Sequence, residues 1–284
     1  MKSFLLLLVL LSTHLNAQKS LTFDKTNLQC EDKWIVYQMD KDSIYHYGFI
    51  YIDPQAGLTL HYEGGFKIDK KGTFYKVDTD KKKDVAFIKI RLQPNKIAIA
   101  VLPEEKFSEL NIQKNPEWLA IYKVDEGSVG RLYLWGFMYN GWNEIEKALT
   151  FLEKAEKIDP NFKGLQTELA FSYNAIGFYD KAEKSLKKAI ANNPMDCYTY
   201  KELAYTYTKL EQIDKVIATY DVMVKYCKET NFIQETAYNL AFEYFKTKDK
   251  TQFNVWKIET KKWSKTENQY IKNLIQMEAE LNKS

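Results

Sequence analysis

The chain has 284 residues with 41 basic and 38 acidic side chains, a formal balance of +3, and its apolar and aromatic contents are 45% and 15%. A surface this close to neutral does not call for nucleic acid, and the apolar fraction supplies material for one or two packed domains. The 20 tyrosines and 16 phenylalanines are the unusual feature; such rings can hold partners at low side-chain entropy cost, although most belong in cores.

Met1 and Lys2 make a short basic start, Phe4 through Leu11 an apolar run, and Leu15, Asn16 and Ala17 a small-residue end. That order predicts a cleavable secretory signal at 1–17. The run is far short of the roughly 20 residues that cross a bilayer, and Gln18, not a cysteine, follows the expected cut. The expectation is a secreted or periplasmic protein with no membrane span after cleavage. Removal of 1–17 takes one lysine and no acid, leaving a balance of +2.

From 33 to about 124 the apolar residues alternate with period two or fall in short runs, which predicts an antiparallel β domain over 18–125. Strands are expected at 33–38, 44–52, 57–62, 73–77, 85–92, 97–102 and 118–124, with a short helix from Glu104 to Leu110 after Pro103. The connections at 53–57, 69–72 and 93–96 supply the Pro, Gly, Asn or Asp of tight turns, and 78–84 reads as an exposed hairpin loop. Strand 44–52 carries Tyr45, Tyr47, Phe49 and Tyr51 on one side, opposite Ile44, His46, Gly48, Ile50 and Ile52. Both sides suit a buried central strand; a row of exposed rings able to stack on sugar is the alternative.

Beyond the loop at 126–130 the period becomes helical and the chain repeats itself. Leu132, Trp135, Gly136 and Tyr139 are followed by Ala148, Leu152, Ala155 and Pro160. At an offset of 34 residues come Gln166, Leu169, Ala170, Tyr173, Ala182, Leu186, Ala189 and Pro194, with Gly177 and Tyr179 between the two halves of the unit. A third unit gives Tyr200, Leu203, Ala204, Tyr207, Val216, Tyr220 and Met223, and a fourth, three residues late, Ala237, Leu240, Ala241 and Tyr244. These residues resemble the tetratricopeptide-repeat (TPR) family in type and spacing. Small residues let paired helices approach, and the prolines end the second helix of each pair. The third unit departs from the pattern at Val216, Met223 and Lys228, and the second helix of the fourth matches poorly. Over 264–284, Ser264 and Glu267 suggest a capping box, and Tyr270, Ile271, Leu274, Ile275 and Leu281 form one apolar face, as a closing helix requires. The fold class is therefore α+β, an antiparallel β domain followed by a TPR-like α-solenoid: three to four helix pairs over 129–263 and a capping helix.

In the TPR family the first helix of each pair lines a concave groove that takes peptides or partner segments. Mapped onto this chain, Phe137, Phe171, Tyr205 and Phe242 share one repeat position. Asn140, Asn174 and Thr208 lie a turn later, and Tyr133, Thr167, Lys201 and Tyr238 a turn earlier. The rings offer apolar pockets, and the asparagine amides could bond an extended peptide. Only Lys201 is positive among these positions, so a carboxylate clamp is not expected. Within the third unit, Cys197 starts the first helix and Cys227 ends the second; antiparallel helices bring those ends together, which predicts a disulfide suited to an oxidising compartment and leaves Cys30 unpaired.

His46 and His61 are the only histidines of the mature chain. Asp40, Asp42 and Asp53 lie near strand ends, and no hydrolase, zinc or nucleotide-binding motif is present. The sequence thus points away from an enzyme, cofactor, metal or nucleic acid. It points to an interaction protein whose partner is another protein, with a glycan- or envelope-binding role for the β domain as the alternative.

Overall fold

The computed structural model of the chain describes residues 21–77, 88–264 and 266–283. The expected signal at 1–17, the hairpin loop at 78–84 and the first residues of the strand expected at 85–92 lie outside them. The chain divides into two compact units between Val124 and Asp125. One is an antiparallel sheet and the other a series of helices, so the fold is α+β with a helical-repeat half.

In the first unit β1 (Lys33–Val36), β2 (Tyr45–Asp53), β3 (Gly57–Ile68), β4 (Phe74–Val77), β5 (Ile88–Arg91) and β6 (Ala100–Val101) form one sheet. The order is β4-β3-β2-β1-β6, and β5 pairs with β3 beside β4. Turn chemistry fixes the register of the hairpins. Asp53 Oδ1 accepts from the backbone amides of Gln55 and Ala56 between β2 and β3, and Asp69 Oδ1 from those of Lys71 and Thr73 between β3 and β4. Gly48 is required by close approach: a Cβ there would stand 2.4 Å from the His61 carbonyl oxygen, beside a register irregularity in the β2–β3 ladder.

The aromatic side of β2 is core. Tyr47, Phe49 and Tyr51 are buried with Trp34, Phe66 and Phe74, and Tyr45 packs at the margin of the same cluster. Trp118 meets Phe49 and Tyr51 edge-on and stacks on His61 at 4.3 Å. A flat row of exposed rings for sugar is therefore not what β2 presents, and the glycan reading loses the feature that motivated it.

Three local expectations are corrected. Residues expected as a strand at 118–124 form the 3-10 helix Glu117–Tyr122, entered through Pro116. Trp118, Leu119 and Tyr122 turn onto the sheet while Ile121 stays 68% exposed; a helical turn sorts these apolar residues as well as a strand would. The helix expected after Pro103 is only the 3-10 turn Glu104–Lys106, followed by further turns. The strand expected at 97–102 shortens to β6 and an isolated bridge from Ile99 to Lys25.

The second unit runs α1 (Val129–Gly141), α2 (Ile145–Ile158), α3 (Leu165–Ala175), α4 (Tyr179–Asn192), α5 (Cys197–Lys209), α6 (Ile213–Tyr226), α7 (Thr230–Lys246), α8 (Lys250–Lys262) and α9 (Gln269–Leu281). Consecutive helices pair, and each first helix also packs on the next first helix. Ala148 and Ala182 are fully buried at the pair contacts, and Val216 and Met223 fill the corresponding space in the third pair. Gly136 lets α1 and α2 approach: an added Cβ would meet Leu152 side-chain carbons at 2.4 Å.

Each pair turns on a residue with positive φ: Asn143 (61°), Gly177 (80°), Glu211 (59°) and Lys248 (58°). Three of these fall 34 residues apart, and the fourth turn is displaced by three more. The displacement precedes the turn, because α7 has 17 residues against 13 in α5. Cys197 and Cys227 are joined by a disulfide that ties the start of α5 to the residue after α6; Cys30 is buried and free. Helix α9 packs on α7 and α8. Its cap is Asn268, whose side chain accepts from the Ile271 amide, and not the Ser264–Glu267 box expected from sequence.

Candidate functional site: the face of the first helices

Helices α1, α3, α5 and α7 bring the mapped positions onto a common face, and their side chains divide into two sets. Phe137 is 50% exposed and Phe242 39%, while Phe171 and Tyr205 are half-buried. Tyr133 is wedged inward, its ring 5.2 Å from Phe162 and its hydroxyl beneath Gly164, where a Cβ would stand 2.6 Å away. Tyr238 is also engaged: its ring lies 4.7 Å from Tyr270 of α9, and its hydroxyl accepts from Asn273.

The asparagines are not available to a ligand. Asn140 Nδ2 donates to the Glu168 backbone oxygen at 3.1 Å and to Glu168 Oε2 at 2.9 Å, while Asn140 Oδ1 accepts from Ser172 Oγ at 2.7 Å. One repeat on, Asn174 Nδ2 donates to Glu202 Oε2 at 3.3 Å and Asn174 Oδ1 accepts from Thr206 Oγ1 at 2.9 Å. Both asparagines are buried. They stitch successive first helices together, which corrects the expectation that their amides face a peptide. At the third position Thr208 bonds back to the Ala204 carbonyl within its own helix, so the ladder stops there. Thr167, in the ring-flanking row, is buried and shares a hydrogen bond with Thr199.

Carboxylates that the sequence reading did not single out shape the charge of this face. Burial raises the Glu168 carboxyl above the ordinary value; the Asn140 hydrogen bond opposes this, and the charge of Glu202 adds to it. Lys201 Nζ lies 2.7 Å from Glu202 Oε1 and 3.7 Å from Glu235 Oε1. Burial works against its charge, but those carboxylates outweigh it and hold the ammonium above its usual range. Tyr198, on the same helix, is pushed up by burial first and then by Glu202 and Glu168. The one available signal was the 34-residue recurrence of Glu168 and Glu202, each three positions before a mapped ring.

Two hollows open on this face, each of about 270 Å³. One is framed by Phe171, Asn174, Lys201, Glu202, Tyr205 and Glu235. The other is framed by Tyr205, Thr208, Lys209, Tyr238, Phe242 and Lys246 among others. They share Tyr205; the first is lined from α3, α5 and α7 and the second from α5 and α7.

In the sheet unit His46 meets one carboxylate, with Nε2 2.9 Å from Asp40 Oδ2 and Nδ1 2.9 Å from the Tyr62 hydroxyl. The Ile44 backbone hydrogen bond, then that of His46, holds Asp40 below the usual carboxylate value. His61 is buried 3.9 Å from Glu63. Each histidine is thus set against a carboxylate of its own, Asp40 for His46 and Glu63 for His61. Among the described residues no group of three or more His, Cys, Asp or Glu side chains is placed to hold a metal ion, and no helix is long and apolar enough to cross a membrane.

The tetratricopeptide repeat family model matches residues 131–162, which span α1 and α2. The match covers the first helix pair, and the helices after it repeat that pairing, so this half has the fold of a TPR-like α-solenoid. Among solved structures, a thermophilic TPR protein from Thermus thermophilus is 16% identical, covers 55% of this chain and 84% of its own, and has a TM-score of 0.45. MamA from Desulfovibrio magneticus RS-1 is 21% identical, with 63% and 86% coverage and a TM-score of 0.39. A TPR protein from Parabacteroides merdae ATCC 43184 is 15% identical, with 61% and 63% coverage and a TM-score of 0.42. No curated protein matches the sequence.

Proposed function

We propose that this is an exported scaffold whose helical half holds another protein, taking an extended peptide or a partner helix on the face of its first helices. The observation that carries the reading is the pair of adjoining hollows on either side of Tyr205. They lie where Phe171 and Tyr205 stay half-buried and Phe242 is exposed. Rings in such hollows give a partner deep apolar contacts around which polar specificity can be arranged. Export is read from the amino-terminal 17 residues, and a disulfide within the third helix pair suits an oxidising compartment.

Binding through this face requires the rings but not their contribution to the fold. Phe137→Ala with Phe171→Ala should cut partner affinity at least tenfold while the far-ultraviolet circular dichroism and the unfolding midpoint stay near those of the parent. Unchanged affinity in a folded double variant removes this face from the account.

A further inference from the structure

The two hollows carry opposite unbalanced charges. In the first, Lys201 faces both Glu202 and Glu235, so one carboxylate is in excess; the closer pair is Lys201–Glu202, and Glu235 is the more exposed acid. In the second, Lys246 is paired with Glu243 within α7, and Lys209 has no carboxylate partner among the described residues. Its ammonium sits 5.2 Å from the centre of the Tyr205 ring, the same ring that separates the hollows.

We propose, resting on the docking role argued above, that this face selects a partner segment with a polar order: a basic side chain for Glu235 and an acidic side chain for Lys209, on either side of an apolar residue packed against Tyr205. The geometry sets the spacing. Glu235 and Lys246 stand about three turns apart on one side of α7, roughly 16 Å along its axis, and Lys209 holds the repeat position of Lys246 on α5, one helix spacing of roughly 10 Å to the side, which sets Glu235 and Lys209 roughly 19 Å apart. An extended chain covers that distance in about six residues. The occupant is therefore a polypeptide with opposite charges about five to seven positions apart. A segment carrying only one sign of charge gains at one hollow and is repelled at the other. Rim charges of this kind act more on selection and on the salt dependence of binding than on total affinity.

The test is selection from a randomised peptide display library on the full-length protein, followed by affinity measurement of a selected peptide and of its charge-reversed counterpart. The expected selection is enriched in a basic and an acidic residue at that spacing, with the reversed peptide binding about tenfold more weakly. On the exchanged variant Glu235→Lys with Lys209→Glu, both substitutions lying at solvent-accessible positions, the preference should invert. Peptides that lose affinity on Phe171→Ala but show no charge order, or keep the same preference on the exchanged variant, overturn the inference and leave the docking role standing. Failure to select any peptide sensitive to Phe171→Ala overturns both.

Discussion

Asn140 on α1 reaches across to Glu168 on α3 with an amide-to-carboxylate distance of 2.9 Å, and the Asn174–Glu202 contact repeats the arrangement one unit later. Each asparagine uses donor and acceptor inside the array, so successive pairs are tied by a buried polar ladder as well as by apolar packing. Removing one partner leaves the other desolvated, which costs more than the hydrogen bond contributes. Asn140→Ala and Asn174→Ala should each lower unfolding free energy by about 1–3 kcal/mol, read from urea denaturation followed by circular dichroism. A loss below a few tenths of a kcal/mol in both would mean that the ladder is incidental.

The same ladder predicts a pH dependence. Because burial raises the Glu168 carboxyl above its ordinary 4.5, the folded chain keeps that proton to higher pH than the unfolded chain does. Its contribution is complete below the unfolded value and is lost as pH rises through the folded one. Glu168→Gln retains an acceptor for Asn140 and cannot ionise, so its stability relative to the parent should improve between pH 4.5 and 7. Urea midpoints at those two pH values check this; an equal difference at both would contradict it.

The bond between Cys197 and Cys227 closes a loop with a sequence separation of 30. In the chain-entropy account it stabilises by roughly 3–4 kcal/mol, concentrated in the pair whose second helix carries Val216 and Met223 in place of small residues. Non-reducing mass spectrometry of the folded protein, made in an oxidising compartment, should find neither thiol alkylated without reductant, and reduction should lower the thermal midpoint. Two freely alkylated thiols in folded protein would exclude the bond.

Two glycines of the array should fail for different reasons. Gly136→Ala drives a methyl into Leu152 and should destabilise by about 1–3 kcal/mol through overpacking, partly relieved by Leu152→Val. Gly177→Ala meets nothing within 4 Å, so its cost is the left-handed backbone alone, roughly 1–2 kcal/mol. Gly177→Asn, the residue type already tolerated at position 143, should recover much of it. Equal rescue by both second changes would show that the two mechanisms are not distinct.

The helical half was legible because its information is periodic. Gly136, Ala148, Ala170 and Ala182 are small at repeat positions, and the 34-residue offset carries on to Ala204 even though Val216 breaks it later in the third unit. What periodicity could not show was which way a polar residue points. Asn140 and Asn174 share a row with Thr208, and sequence alone treats all three as lining a groove; only packing of one first helix on the next reveals that Glu168 and Glu202 claim the amides. The sheet half was legible in its hairpins, where Asp53 and Asp69 announce turns, and illegible at 117–122. There Trp118, Leu119 and Tyr122 reach the core from a 3-10 helix with a pattern that a strand would also satisfy. Strand 45–53 set a different limit, since alternation identified the aromatic side but not that a layer of chain containing Trp118 covers it.

Another protein should bind on the face of the first helices. A photo-crosslinking amino acid placed at position 171 on α3, and in a separate variant at position 187 on α4, tests it in cells that make the protein. A discrete partner adduct is expected from position 171, disappearing when Tyr205 is changed to alanine, and none from position 187. An adduct from position 187 alone, or equal adducts from both, would place binding elsewhere and contradict it.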